Sequence, residues 1–200
     1  HLAEDRAFYY INRVYSFYGD ENVKLSLAFQ REVINNIVPR VQPDLIHCND
    51  WMTGLIPAMA RVLEIPCLFT IHNVHTVKTS LAAIEDRGID AASFWQNLYF
   101  DNMAVSYEQT RDHNPVDLLT SGIFGAHFVN VVSPTFLQEI INGKHSFIEA
   151  PIRRELTNKV QAECAAGILN APDPSFDPQN DKDLVKEYGP DDHAAGKREN

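Results

Sequence analysis

Apolar positions along this chain change period from one stretch to the next, and the changes spell out an alternation of strands and helices. Val23, Leu25, Leu27, Phe29, Val33, Ile34 and Ile37 form a mostly helical stripe that predicts a helix over 21–39, with Pro39 and Pro43 at its exit. Three short apolar runs follow: Leu45-Ile46-His47-Cys48, Cys67-Leu68-Phe69-Thr70-Ile71 and Phe128-Val129-Asn130-Val131-Val132. Their lengths suit strands over 44–48, 67–71 and 128–132. The second run is nearly all apolar, the pattern of a strand covered on both faces.

Local signals place the helices. Asn49-Asp50 can cap a helix over 51–62, in which Pro57 marks a kink or a late start. Asn114-Pro115 opens a helix over 115–125, and Ser133-Pro134 opens another that runs to Ile141. A further helix is expected over 152–166 and a short strand over 167–170. Between 74 and 113, charged residues mix with Phe94, Trp95, Tyr99, Phe100 and Tyr107, which predicts short helices within a long excursion or lid. Its aromatics suit the core of a small subdomain better than a platform for sugar rings. From Ala171 the chain is rich in Pro, Asp and Asn and reads as a linker, with room for a helical turn or two over 181–187. The division is 1–170 for one α/β domain and 171–200 for the linker.

Strands that alternate with helices build a parallel sheet flanked by helices, a Rossmann-like α/β fold. Ligands of such sheets bind beyond the carboxyl ends of the strands. Asp50, the pair His72-Asn73, and Ser133 each stand just past a strand and would line one crevice. Asp50 has a competing role as a helix cap. His72 could be a satisfied core histidine, or a group that bonds a sugar hydroxyl at the crevice mouth. His47, Asp50, His72 and His75 include metal-ligand residue types, but strand alternation sends His47 and Asp50 apart, so no metal is expected.

Charge and composition narrow the partners. Seventeen Lys and Arg stand against 27 Asp and Glu, a formal charge of -10. This argues against nucleic acid or an anionic membrane surface as the main partner, though local donors can still hold a small phosphate-bearing ligand. No apolar run approaches the ~18 residues of a membrane span. Cys48, Cys67 and Cys164 form no C-x-x-C and suit a reducing, cytoplasmic compartment. Phe8, Tyr9, Tyr10, Tyr15, Phe17 and Tyr18 enrich the start, which opens on His1 and not Met and looks like an excised piece without a visible signal peptide.

Several stretches resemble bacterial glycogen synthases and plant starch synthases. Pro43-Asp44-Leu45-Ile46-His47-Cys48-Asn49-Asp50-Trp51 is similar to their "PD-hydrophobic-H-x-[HN]-D-W" stretch, and Phe69-Thr70-Ile71-His72-Asn73 to "F-T-x-H-N". Leu119-Thr120-Ser121-Gly122-Ile123 and Val131-Val132-Ser133-Pro134-Thr135-Phe136 resemble "hydrophobic-K-x-G-hydrophobic" and "V-S-P-T-[YF]". Gly167-Ile168-Leu169-Asn170 and the residues to Lys197 resemble the inter-domain segment. Thr120 stands where the family has lysine, Ala171-Pro172 where it has Gly-Ile, and Val74-His75-Thr76 where it has Tyr-Gln-Gly.

The resemblance implies part of the N-terminal domain of a retaining glucosyltransferase built from two facing Rossmann-like domains, the GT-B arrangement. Such enzymes move glucose from ADP-glucose or UDP-glucose to the non-reducing end of an α-1,4-glucan and need no cofactor. By this likeness His72 sits beside the transferred glucose as the expected catalytic residue, with Asn73 next to it and Asp50 near the acceptor side; these two, and Ser133 from its place in the crevice, are expected to bind substrate. The other partner is a C-terminal Rossmann-like domain of the same polypeptide. Two rival readings are a non-catalytic glucan-binding or regulatory module and a metal-dependent hydrolase.

Overall fold

The computed structural model describes residues 5–9, 11, 15, 16, 18–171 and 173–200; Tyr10, Phe17 and Pro172 lie outside them. The chain forms two compact units, His1–Ile168 and Leu169–Asn200.

The first unit opens with α1 (Arg6–Tyr9) and α2 (Gly19–Glu32). A π-helical turn over Val33–Ile37 then joins α2 to α3 (Val38–Val41). The cause is Pro39, which has no N–H to return to residue 35, so the hydrogen-bond ladder widens ahead of it. Gln42, at φ 47, turns the chain out. Next come β1 (Ile46–Asn49), a 3₁₀ turn over Trp51–Thr53, and α4 (Ile56–Val62). The expected helix over 51–62 therefore starts late, with Pro57 in the first turn of α4, where no amide is needed.

After β2 (Cys67–Ile71), the excursion is a packed layer and not a lid. It holds β3 (Lys78–Thr79), α5 (Leu81–Glu85), two 3₁₀ turns and α6 (Tyr107–Thr110). Leu81, Ile84, Ile89, Ala91, Phe94 and Leu98 are buried in the main core. Trp95 packs edge-on against Phe100 and Tyr107, and all three rings are half-buried. β4 (Val116–Asp117) pairs antiparallel with β3, and that pairing delays the expected helix. It starts at α7 (Leu118–Gly125) and is capped by Asp117, not Asn114. Asn114 instead exchanges hydrogen bonds with the backbone of Asn102.

β5 (Phe128–Val131), α8 (Pro134–Ile141), α9 (Ala150–Gln161) and β6 (Ala165–Gly167) complete the unit. Glu163, at φ 57, ends the helical run early, so the last strand falls before the expected 167–170. The main sheet is four-stranded in the order β1-β2-β5-β6, with all neighbours parallel.

One face of this sheet carries Cys48, Cys67, Phe69, Ile71, Val129 and Val131, all buried. There Phe69 presses on Gly122 of α7, where an added methyl would overlap the phenyl ring. The other face carries His47, Asn49, Leu68, Thr70, Phe128 and Asn130, of which Thr70 alone is buried. Leu68 is half-buried and Thr70 buried here, in line with two-sided coverage of β2, and a polar row crosses this face. Thr70 Oγ1 lies 2.8 Å from His47 Nε2 and accepts from Asn130 Nδ2 at 3.4 Å, and Asn130 Oδ1 accepts from the Ile168 N–H at 3.1 Å.

In the second unit a 3₁₀ turn (Pro174–Phe176) and α10 (His193–Glu199) are regular. No helix forms over 181–187, where Asp181 Oδ1 bonds the Asp183 N–H and turns the chain locally. Lys186 pairs with Glu199 at 2.9 Å.

Candidate functional site

Because β1, β2 and β5 are adjacent and parallel, Asp50, His72-Asn73 and Ser133 leave the sheet at one end. Asp50 is half-buried, and His72 and Asn73 are exposed. The expected cap role of Asp50 is absent: its side chain makes no bond to the turn that follows. It reaches across to the end of β2. Oδ1 accepts from the N–H of His72 at 2.8 Å and of Asn73 at 3.3 Å, and Oδ2 accepts from Asn73 Nδ2 at 3.3 Å. Its own N–H donates to Thr70 O at 3.0 Å. Asp50 holds φ 54 and ψ -178, a region that suits glycine and costs other residues about 1–3 kcal/mol. Strain at this point is what lets the carboxylate turn toward the neighbouring strand.

His72 Nε2 lies 3.0 Å from Asn49 Oδ1. The carbonyl oxygen accepts, so Nε2 is the donor, and Nδ1 makes no hydrogen bond among the described residues. Asn49 owes this position to register: it lies opposite Thr70, on the same sheet face as position 72. The sequence signals Asn49 only as a cap, and its pairing with His72 becomes visible once the strand register is known. Asn73 Oδ1 accepts from the His75 N–H at 3.0 Å, and the His75 ring meets Trp51 edge-on at 6.1 Å. Ser133 Oγ accepts from the Phe136 N–H at 3.1 Å and caps α8.

Sequence reasoning missed the anchors beyond His75. Thr76 Oγ1 donates to Asp117 Oδ1 at 2.8 Å, and Lys78 Nζ pairs with Asp101 at 2.9 Å and with Glu149 at 3.7 Å. The Asp101 bond, above all, raises the Lys78 pKa above the ordinary lysine range. Local sequence carries little signal for either, because the paired strands hold only two residues each.

The groups weighed as metal ligands separate. His47 turns to Thr70, Asp50 to the 72–73 backbone and His72 to Asn49. Among the described residues no three His, Cys, Asp or Glu side chains are arranged to hold a metal ion. No helix among them is long and apolar enough to cross a membrane. Cys48 and Cys67, 3.8 Å apart at sulfur, are buried, and the Cys67 contact and burial push the Cys48 thiol pKa up, away from reactivity.

At the amino-terminal end of the sheet the chemistry is structural. Arg61 and Lys159 donate to the last carbonyls of α7 and its exit, at 2.6 Å to Gly125 O and 2.5 Å to Ala126 O. His127 Nδ1 accepts from the Cys67 N–H at 3.1 Å.

A family model described as the starch synthase catalytic domain matches residues 1–151. The chain is similar to the glycogen synthase of Acholeplasma laidlawii, with 30% identity over 178 residues, 86% of this chain and 35% of that one. It is similar to the glycogen synthase of Cellvibrio japonicus, with 34% identity over 151 residues, 74% of this chain and 28% of that one. The solved catalytic domain of starch synthase IV from Arabidopsis thaliana, bound to ADP and acarbose, shares the fold at a TM-score of 0.62 and 22% identity, over 87% of this chain and 35% of that one. The chain thus spans about a third of the length of these curated relatives.

Proposed function

The chain belongs to the family of starch synthase catalytic domains, and from that footing we propose that it is part of a retaining glucosyltransferase. The reaction transfers glucose from ADP-glucose or UDP-glucose to the non-reducing end of an α-1,4-glucan. The ADP form of the donor is favoured, because the Arabidopsis starch synthase IV structure that shares this fold is bound to ADP. Residues up to about 170 form the later part of the N-terminal Rossmann-like domain, and the rest leads toward a second domain of the same polypeptide. Acidic charge and three free cysteines suit a cytoplasmic setting without nucleic acid or membrane as partner.

Breaking the bond between glucose and phosphate builds positive charge on the sugar and negative charge on the departing nucleotide. A catalyst must hold both better in the transition state than in the ground state. His72 is the catalytic residue on the sugar side: its Nδ1 accepts from a glucose hydroxyl while Nε2–H stays on Asn49. Asp50 and Asn73 fix the backbone that carries it, with one carboxylate lone pair and one amide hydrogen left for substrate. Ser133 borders the substrate side from the next strand. The second domain holds the nucleotide phosphates.

The observation that carries this reading is the exposed His72 ring on a backbone tied down by Asp50. The test is direct. The full-length protein given ADP-glucose and glycogen should release ADP and lengthen the outer chains with the α configuration retained. The 200-residue chain alone should show neither. No transfer by the full-length protein from either sugar nucleotide would refute the assignment.

A further inference from the structure

The turn that carries His72 and Asn73 is held from a second side. Asp50 fixes residues 72 and 73 from the end of β1. Three residues on, Thr76 Oγ1 donates to Asp117 Oδ1 at 2.8 Å and accepts from the Leu119 N–H at 3.1 Å, so its hydroxyl is oriented by both bonds. The same Asp117 oxygen takes the Thr120 N–H at 2.7 Å, and Val77 O takes the Leu118 N–H at 3.0 Å. Between the two holds, the His75 N–H is bound to Asn73 Oδ1. Every residue from 72 to 77 except Val74 is therefore tied by a named bond, although His72, Asn73 and His75 are exposed.

Asp117 is an uneconomical choice for a cap alone. It is 1% exposed, and its Oδ2, like Thr120 Oγ1, is buried with no partner among the described residues. An asparagine would cap α7 and accept from Thr76 through the same oxygen without a buried charge. A carboxylate makes shorter, stronger bonds to the same donors, and it stands opposite Lys78 in the β3–β4 pair. Both effects tighten the segment just after His72.

We propose that Thr76 and Asp117 are a positioning pair that fixes the His72-Asn73 turn from the α7 side. The inference rests on the reading of His72 as the group facing the transferred glucose. Neither residue touches substrate; they act by preventing the turn from swinging. Loss of such positioning lowers the rate of the chemical step, since a displacement of about 1 Å at a reacting group can cost up to about 100-fold.

The experiment uses full-length protein with Thr76→Val, which keeps shape and removes the hydroxyl, and Thr76→Ser, which restores it. Hydrogen exchange is followed on the peptide holding His72, Asn73 and His75, beside kcat and KM with ADP-glucose and glycogen. Thr76→Val should speed exchange and lower kcat about ten-fold each with KM little changed, and Thr76→Ser should return both toward the parent. Parent-like exchange in Thr76→Val overturns the pair, as does a kcat that holds while exchange rises, or a kcat loss that Thr76→Ser leaves in place. A parent enzyme that transfers no glucose would refute the proposed function instead, and the exchange comparison would still decide whether Thr76 fixes the turn.

Discussion

Asp50 Oδ1 accepts the backbone N–H of His72 at 2.8 Å, a bond between residues 22 apart that joins the ends of neighbouring parallel strands. The bond sets where the His72 backbone lies, and the strained backbone of Asp50 sets where the carboxylate lies.

Asp50→Ala and Asp50→Gly separate these two effects. Both remove the carboxylate and should lower kcat/KM of the full-length enzyme about 100-fold, as the His72 turn loses its hold. Glycine also relieves the backbone strain, so Asp50→Gly should be more stable than Asp50→Ala by about 1 kcal/mol or more. Urea unfolding of the two variants checks the order; equal stability would mean the positive φ carries no strain.

His72→Ala should damage turnover and spare the fold. The residue is exposed, and the ring's one hydrogen bond among the described residues is to Asn49. Removing one such group from a polar transition-state site lowers kcat by about 100-fold or more, while the unfolding midpoint should move by no more than about 2 °C. Initial rates and a thermal melt decide it; parallel loss of both would return the ring to a structural role.

Gly122→Ala should destabilise the sheet–helix contact. The new methyl would overlap the Phe69 ring at the centre of the packed face. Overpacking of this kind costs about 1–3 kcal/mol. Adding Phe69→Leu should recover part of the loss, and a double-mutant cycle by urea unfolding should show coupling between the two positions.

Stability should fall as acid titrates His127. Partial desolvation of this otherwise exposed residue chiefly, then Arg61 and Lys159, lower the ring pKa below its ordinary 6.5. The unfolded chain then binds the proton more readily than the folded one. Stability is fully present above pH 6.5 and is lost as pH falls toward the folded-state value. His127→Asn can still accept from the Cys67 N–H and cannot titrate. Its stability should therefore vary less than the parent's between about pH 7.5 and 5.5.

Much of this architecture was legible in the chain. Cys67–Ile71 and Phe128–Val131 announce themselves by apolar runs, and Ser133-Pro134 by cap chemistry, because these signals are local. The common exit of Asp50, His72 and Ser133 follows from strand–helix alternation alone. What stayed hidden depends on distant partners. Nothing near Asp50 says that its side chain bonds position 72, and the capping rule points the wrong way. Nothing near residues 76–79 reveals a strand partner at 116–117. The layer over 74–113 has short helices whose apolar faces are too brief to set a period. The polar row also escaped notice, since Thr70 sits within a run that otherwise reads as fully apolar.

That row has a consequence for alignment. A slide of β2 by a single residue would drive Thr70 into the apolar layer against α7 and turn Phe69 and Ile71 onto the polar face, with His47 and Asn130 stripped of their partner. The hydroxyl and its neighbours work as a keyway that admits one setting of three strands. Since positions 50, 72 and 133 are simply where those strands run out, the spacing of the crevice is decided within the sheet, two or three residues before any group that would meet a sugar.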